Sequence, residues 1–190
     1  MSAARYLVLL RGINVGGRNK VPMAALRELL ETHGHTKVST YIASGNVILS
    51  SDRSAAAIKR ELEDALPKVF KLDSELIAVL VLTQAQLQAV VRKRPKGFGD
   101  KPEKYHSDAV FLMGIDAPTA IKVFDPRPGV DEVWAGTGVI YSQRLSAQRT
   151  KSRLGKIVGT PAYKAMTIRS WQTTMALLER MEAPVTGSSA

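Results

Sequence analysis

Lys37-Val38-Ser39-Thr40-Tyr41-Ile42-Ala43-Ser44-Gly45-Asn46-Val47-Ile48-Leu49-Ser50 reads as two strands, 37–42 and 46–50, joined by a link of tight-turn composition. A hairpin at this point decides the fold, because both flanks read as helices. Upstream, Met23, Leu26, Leu29 and Leu30 form one apolar stripe. Pro22 opens that helix where a missing N–H is not needed, and Gly34 closes it. Downstream, Ser54 is placed to cap a helix whose stripe is Ile58, Leu62, Leu66 and Val69. Apolar runs at 6–10 and 76–82 complete the set, the second nearly unbroken, as in a strand covered on both faces. The order is strand, helix, strand, strand, helix, strand, the split βαββαβ arrangement of ferredoxin-like domains.

Residues 1–82 are therefore expected to form a ferredoxin-like half. Thr83-Gln84-Ala85-Gln86 has the form of a capping box opening a helix through Val91. Residues 83–107 are assigned to that helix and a polar, Gly- and Pro-bearing segment that acts as linker or lid. A second α+β half, 108–183, follows. It opens with a strand at 108–113 and a helix started by Asp116. A hairpin around Gly136-Thr137-Gly138 follows, then a closing helix over 167–181 with Ile168, Trp171, Met175 and Leu178 on one stripe. Its element order suggests duplication of the first half, without a residue-level repeat; the alternative is one mixed sheet with helices packed around it. Residues 184–190 are expected to be a disordered tail.

Composition narrows the chemistry. The 190 residues carry 27 Lys and Arg against 17 Asp and Glu, a net charge of +10, which favours encounters with anionic partners. There is no cysteine, so disulfides and thiolate chemistry are excluded, and a cytoplasmic location is expected. The three histidines, His33, His35 and His106, have no metal-ligand spacing, and His106 is read as lying in a polar loop. No metal and no cofactor is expected. No apolar run is long enough for a membrane span, so no membrane partner is expected either.

Three stretches could carry function. The first is the loop after the opening strand, Arg11-Gly12-Ile13-Asn14-Val15-Gly16-Gly17-Arg18-Asn19-Lys20. Gly12, Gly16 and Gly17 permit positive φ and close approach to a ligand, Arg11, Arg18 and Lys20 supply charge, and the helix behind it turns its positive end toward the loop. It is neither a P-loop nor a dinucleotide fingerprint, because the glycine spacing fits neither. The second stretch, 133–178, holds Arg144, Arg149, Lys151, Arg153, Lys156, Lys164 and Arg169 and no acid, with Tyr141, Tyr163 and Trp171 interleaved. That pattern suits phosphate-backbone contact and stacking, although Trp171 itself reads as core. Its centre, 146–156, is expected to be a mobile loop and short helix. The third stretch is Ser44-Gly45-Asn46, whose hydroxyl and amide can serve a turn or a ligand.

Arg11 to Gly17, Met23-x-x-Leu26-Arg27, Thr40 to Val47 and Thr167-Ile168-Arg169-Ser170-Trp171 together resemble the mostly bacterial family filed as domain of unknown function 1697. In that family the last motif usually reads Thr-Arg-Asn-Trp; Ser170 stands here in place of the asparagine. The resemblance implies a small cytoplasmic α+β protein with ferredoxin-like halves and no established activity.

The sequence thus leads to a small anionic ligand, phosphorylated or carboxylated, held by Arg11, Gly12, Asn14, Gly16, Gly17, Lys20, Ser44, Asn46 and Arg169. The alternative is a nucleic-acid module using Arg144, Arg149, Lys151, Arg153 and Lys156. No motif commits the chain to an enzymatic reaction or to an oligomeric state.

Overall fold

The computed structural model describes residues 3–72 and 77–184. Its strands are β1 (Ala4–Leu10), β2 (Thr36–Tyr41), β3 (Asn46–Ser51), β4 (Val79–Thr83), β5 (Tyr105–Leu112), β6 (Asp131–Gly136), β7 (Val139–Leu145) and β8 (Met166–Ser170). Its α-helices are α1 (Met23–Thr32), α2 (Ala55–Val69), α3 (Gln84–Arg92), α4 (Ala117–Ala120) and α5 (Trp171–Glu182). Two four-stranded antiparallel sheets result, ordered β2-β3-β1-β4 and β6-β7-β5-β8. The second order is the first with every strand number raised by four. The protein is α+β with two similar ferredoxin-like halves.

The duplication extends to the exits from the sheets. At the end of β4, Gln86 N donates to Thr83 Oγ1 at 3.2 Å and Thr83 N donates to Gln86 Oε1 at 2.8 Å, the reciprocal capping box read from sequence. At the end of β8, Thr173 N donates to Ser170 Oγ at 3.1 Å. Ser170 thus caps α5, a role for which a hydroxyl serves as well as an amide.

By compact packing the described residues fall into two units, one within Met1–Leu87 and Leu177–Ala190 and the other within Gln88–Ala176. In the first unit, Tyr6, Val8 and Leu10 of β1 pack with Leu26 and Leu30 of α1 and Ile58, Leu62 and Leu66 of α2. Leu7, Leu9 and Ile48 alternate to the other face and are as deeply buried, which explains the unbroken apolar reading of β1. The same unit contains the end of α5. Arg5 fixes it by donating from Nη1 to Ala183 O at 2.8 Å and from Nη2 to Arg180 O at 2.9 Å. These last carbonyls have no intrahelical donor, so a guanidinium satisfies them.

In the second unit one sheet face packs Val110, Leu112, Ile140 and Met166 against Ala117, Ala120, Phe124, Leu154 and Ile157. Around Phe98, which is fully buried, the rings of Trp134, Tyr141 and Trp171 stand edge-on at 6.0, 5.1 and 5.0 Å. Burial pushes the Tyr141 hydroxyl up to about 12, and it donates to Val90 O at 2.6 Å. The segment 94–104 is therefore pinned at its centre. Arg94 Nη2 to Asp100 Oδ1 at 3.2 Å and Gly99 N to Gln143 Oε1 at 3.2 Å add to the fixation.

Several expectations are corrected. His106 does not lie in a loop: it is the second residue of β5, paired opposite Arg144. The closing helix begins at Trp171, because Met166–Ser170 pairs with β5 as a strand. The Thr167-Ile168 pair is β-branched and suits a ladder. Trp171 is core as read, but Met175 is 40 % exposed and Thr174 takes the buried position. Val69 is exposed and Ala65 is buried in its place. The 146–156 stretch forms tight 3-10 turns, Ser146–Lys151 and Leu154–Gly159, with Leu154 and Ile157 in the core. The fourth strand is Val79–Thr83, and Leu76, which the sequence placed at its start, lies outside the described residues, as do 185–190 of the expected tail.

Replacing Phe98 by Ala removes the ring on which three aromatics converge. Loss of about 3–5 kcal/mol of stability is expected by urea denaturation. A loss below about 1 kcal/mol would show that the segment is not part of the core.

Candidate functional site

The loop after β1 is built by side-chain amides acting on backbone. Asn14 sits at φ +55°, a region that asparagine tolerates better than most residues. Its Nδ2 donates to Val21 O and to Ala43 O, both at 2.9 Å, and its Oδ1 accepts from Val21 N at 2.9 Å. One side chain therefore ties the start of the loop to its end and to the β2–β3 hairpin. Asn19, also left-handed at φ +48° and buried, donates from Nδ2 to Gly12 O at 2.8 Å. Asn14 N donates to Asn19 O at 3.0 Å and Arg18 N to Val15 O at 3.0 Å, so residues 14–19 form a miniature hairpin.

Main-chain bonds complete the junction. Leu10 N donates to Gly45 O at 2.8 Å and Arg11 N to Ala78 O at 2.9 Å. The exit of β1, the hairpin link and the approach to β4 meet here. Gly45 lies so close to Leu10 that an added Cβ would come within 2.8 Å of Leu10 Cβ. Asn46 is fully buried and donates from Nδ2 to Tyr41 O at 3.0 Å and Ser44 Oγ at 2.9 Å. These bonds close the hairpin. Ile42 departs from ordinary turn chemistry: a β-branched residue at φ +49°, half exposed.

The loop's outer surface is open. Gly16 and Gly17 have φ of +58° and +77°, and nothing lies within 4 Å of a Cβ placed on either. Arg18 and Lys20 are exposed and Arg11 is partly so. The helix behind the loop, α1, has Pro22 at its N-cap and no side-chain cap, so its first N–H groups have no side-chain acceptor there. Arg11, Gly12, Asn14, Gly16, Gly17, Lys20, Ser44 and Asn46 all belong to the first unit, whereas Arg169 belongs to the second. Arg169 is buried on β8, where burial lowers its pKa to about 10, and its Nη1 donates to Thr167 Oγ1 at 2.9 Å and Ile168 O at 2.8 Å.

The basic stretch of the second unit is tied to acids from outside it. Arg153 and Lys156 both reach Asp125 at 3.0 Å, and together they hold its carboxyl below the usual range. Arg144 faces Asp108 at 3.8 Å. Burial pushes Asp108 above its ordinary value, opposed by His106, whose Nε2 is 3.1 Å from Asp108 Oδ1, and by Arg144. Asp131 is 95 % buried at the start of β6. Its Oδ2 accepts from Arg127 N at 3.0 Å and Arg153 N at 2.8 Å. Burial disfavours its charge, but these amides, the Ser152 hydroxyl and Arg144 outweigh it, and its pKa falls below 3.8. Among the described residues no group of three His, Asp or Glu side chains could hold a metal ion, and no helix is long and apolar enough to cross a membrane.

Sequence reading missed Asn19 and Asp131. Asn19 carried a signal, since a second asparagine beside Gly17 and Arg18 marks a further left-handed position. Asp131 carried none, because its partners are backbone amides from two distant turns.

A pair of ferredoxin-like α+β halves with a basic glycine loop leaving its first strand describes the class. The chain belongs to the family described as protein of unknown function (DUF1697), whose model matches residues 3–141. The match spans the glycine loop and the first hairpin and stops short of 167–171. A solved structure of a conserved bacterial protein, SP0830 from Streptococcus pneumoniae, is similar at 27 % identity and a TM-score of 0.81. The similarity covers 95 % of this chain and all of that one. No curated protein matches the chain.

Two outcomes are expected. Asn14→Ala leaves main-chain groups of Val21 and Ala43 without their partner and costs about 2 kcal/mol by urea denaturation; an unchanged stability would refute its bracing role. For Asp131 the folded pKa is depressed, so its contribution is present above pH 3.8 and lost as pH falls through the folded value. Asp131→Asn should therefore lower stability at pH 7 and flatten its decline below pH 3.8. A variant whose decline in acid parallels the wild type would contradict this.

Proposed function

We propose that the loop 11–20 binds a small anionic ligand, phosphorylated or carboxylated, against the N-terminus of α1. The observation that carries this reading is the conjunction of an open, cation-bearing glycine turn with a ten-residue helix lacking any side-chain cap. An anion there gains main-chain N–H donors and the positive end of the helix dipole. Arg18 and Lys20 add charge, and no acid occurs before Glu28. Asn14 and Asn19 serve the site indirectly. They hold the turn in shape, so little ordering is required when a ligand arrives.

The nucleic-acid alternative draws on the acid-free stretch, but its cations are partly committed. Arg153 and Lys156 share Asp125, Arg144 faces Asp108, and Arg169 is buried. Arg149 and Lys151 have no ion-pair partner among the described residues. Two such charges give a shallow salt dependence compared with the six to ten contacts of a strong binder. The loop is the better supported site.

Titration calorimetry with inorganic phosphate and with acetate tests the proposal. Arg18→Ala and Lys20→Ala should each weaken phosphate binding about tenfold, with stability unchanged because both side chains are exposed. Equal affinity in wild type and double variant would refute the site. Loss of affinity on neutralising Arg149 and Lys151 instead would transfer it to the alternative.

A further inference from the structure

Two bulky apolar side chains stand exposed where the anion site meets solvent. Val15, which leads into the Gly16–Gly17 tip of the miniature hairpin, is 67 % exposed, and Ile42, at the β2–β3 link, is 52 % exposed. They are not scattered. The hydrogen bond from Asn14 Nδ2 to Ala43 O joins the chain neighbours of both, so the two turns are held to each other. Single exposed aliphatics are ordinary on a protein surface. Here two stand on turns that a hydrogen bond joins, one of them beside glycines with open space around them.

Ile42 also carries a conformational cost. A β-branched residue is disfavoured at φ +49°, and half-exposure returns little burial in compensation. Glycine or asparagine would close the same turn without strain.

The surroundings are cationic. Arg11, Arg18 and Lys20 lie along the loop, and the guanidinium of Arg180 sits 4.5 Å over the ring of Tyr41, the residue before Ile42. Residues 33–51, which include the hairpin, contain no acid, as is true of everything before Glu28. Aliphatic tips amid cations match a ligand with an aliphatic part joined to a negative headgroup.

From this we infer that the ligand of the loop is a freely soluble amphiphilic anion: a phosphate or carboxylate held by the loop, with an aliphatic chain lying over Val15 and Ile42. The inference rests on the anion-binding reading above and adds the chemistry of the ligand's other end.

The test compares methyl phosphate with n-hexyl phosphate below its aggregation concentration, using wild type and the double variant Val15→Ser, Ile42→Asn. Full burial of a methylene gives about a fourfold gain in affinity, and a chain lying on an open surface about half of that in logarithmic terms. Hexyl phosphate is thus expected to bind wild type at least about tenfold more tightly than methyl phosphate. The double variant should lose that gain, keep its affinity for methyl phosphate, and unfold no more easily, since asparagine suits the left-handed turn. Equal binding of both phosphates by wild type would overturn the inference while leaving the anion site intact. A gain that survives in the double variant would overturn it too. Failure of both phosphates to bind would overturn the anion site and the inference together. Sedimentation with phosphatidylcholine vesicles containing phosphatidic acid, dependent on Val15 and Ile42, would contradict a freely soluble ligand.

Discussion

The side-chain amide of Asn14 is the bond on which the first unit's loop end depends. Three hydrogen bonds from one residue connect the exit of β1, the entry to α1 and the β2–β3 hairpin. A chain leaving a strand for a helix has many paths. Cross-linking main-chain groups at both ends of the loop and on a neighbouring turn removes most of them. The folded loop thus lacks much of the conformational freedom that an unbraced glycine loop would keep. The asparagine must accept a left-handed backbone to do this, a modest cost for that residue and a large one for most others.

The two halves solve one topological problem with different local chemistry. Both sheets have the same strand order, and both leave their last strand through a hydroxyl-capped helix. Where the first half uses the fifteen-residue α2 between its third and fourth strands, the second uses successive 3-10 turns that contribute Leu154 and Ile157 to the core. Asp125 and Asp131 stabilise that irregular stretch by receiving Arg153, Lys156 and main-chain amides. Much of the basic excess in the second half is therefore structural.

The first half was readable because periodicity, capping and turn chemistry agreed at each step. Ser54, Gly34 and the strands β1 and β3 fall where the residues place them. The second half was less readable for physical reasons. Met166–Ser170 is a strand only because β5 offers it a ladder, and nothing in five residues encodes a distant partner. The loop's glycines and cations were evident as residues. Its bracing was not, since an asparagine that organises a turn and one that binds a ligand have the same letter. The buried edge-on packing around Phe98 was likewise invisible in a segment that reads as polar.

A braced, cation-bearing loop at the start of α1 is proposed to receive an anion. Backbone amide shifts of the 15N-labelled protein, followed as inorganic phosphate is added, test it most directly. If the loop is the site, the amides of Gly16, Gly17, Lys20, Met23 and Ala24 move together and saturate with one dissociation constant, while those of 149–156 stay in place. Saturable shifts confined to 149–156, or small unsaturable drifts across the whole surface, would contradict it.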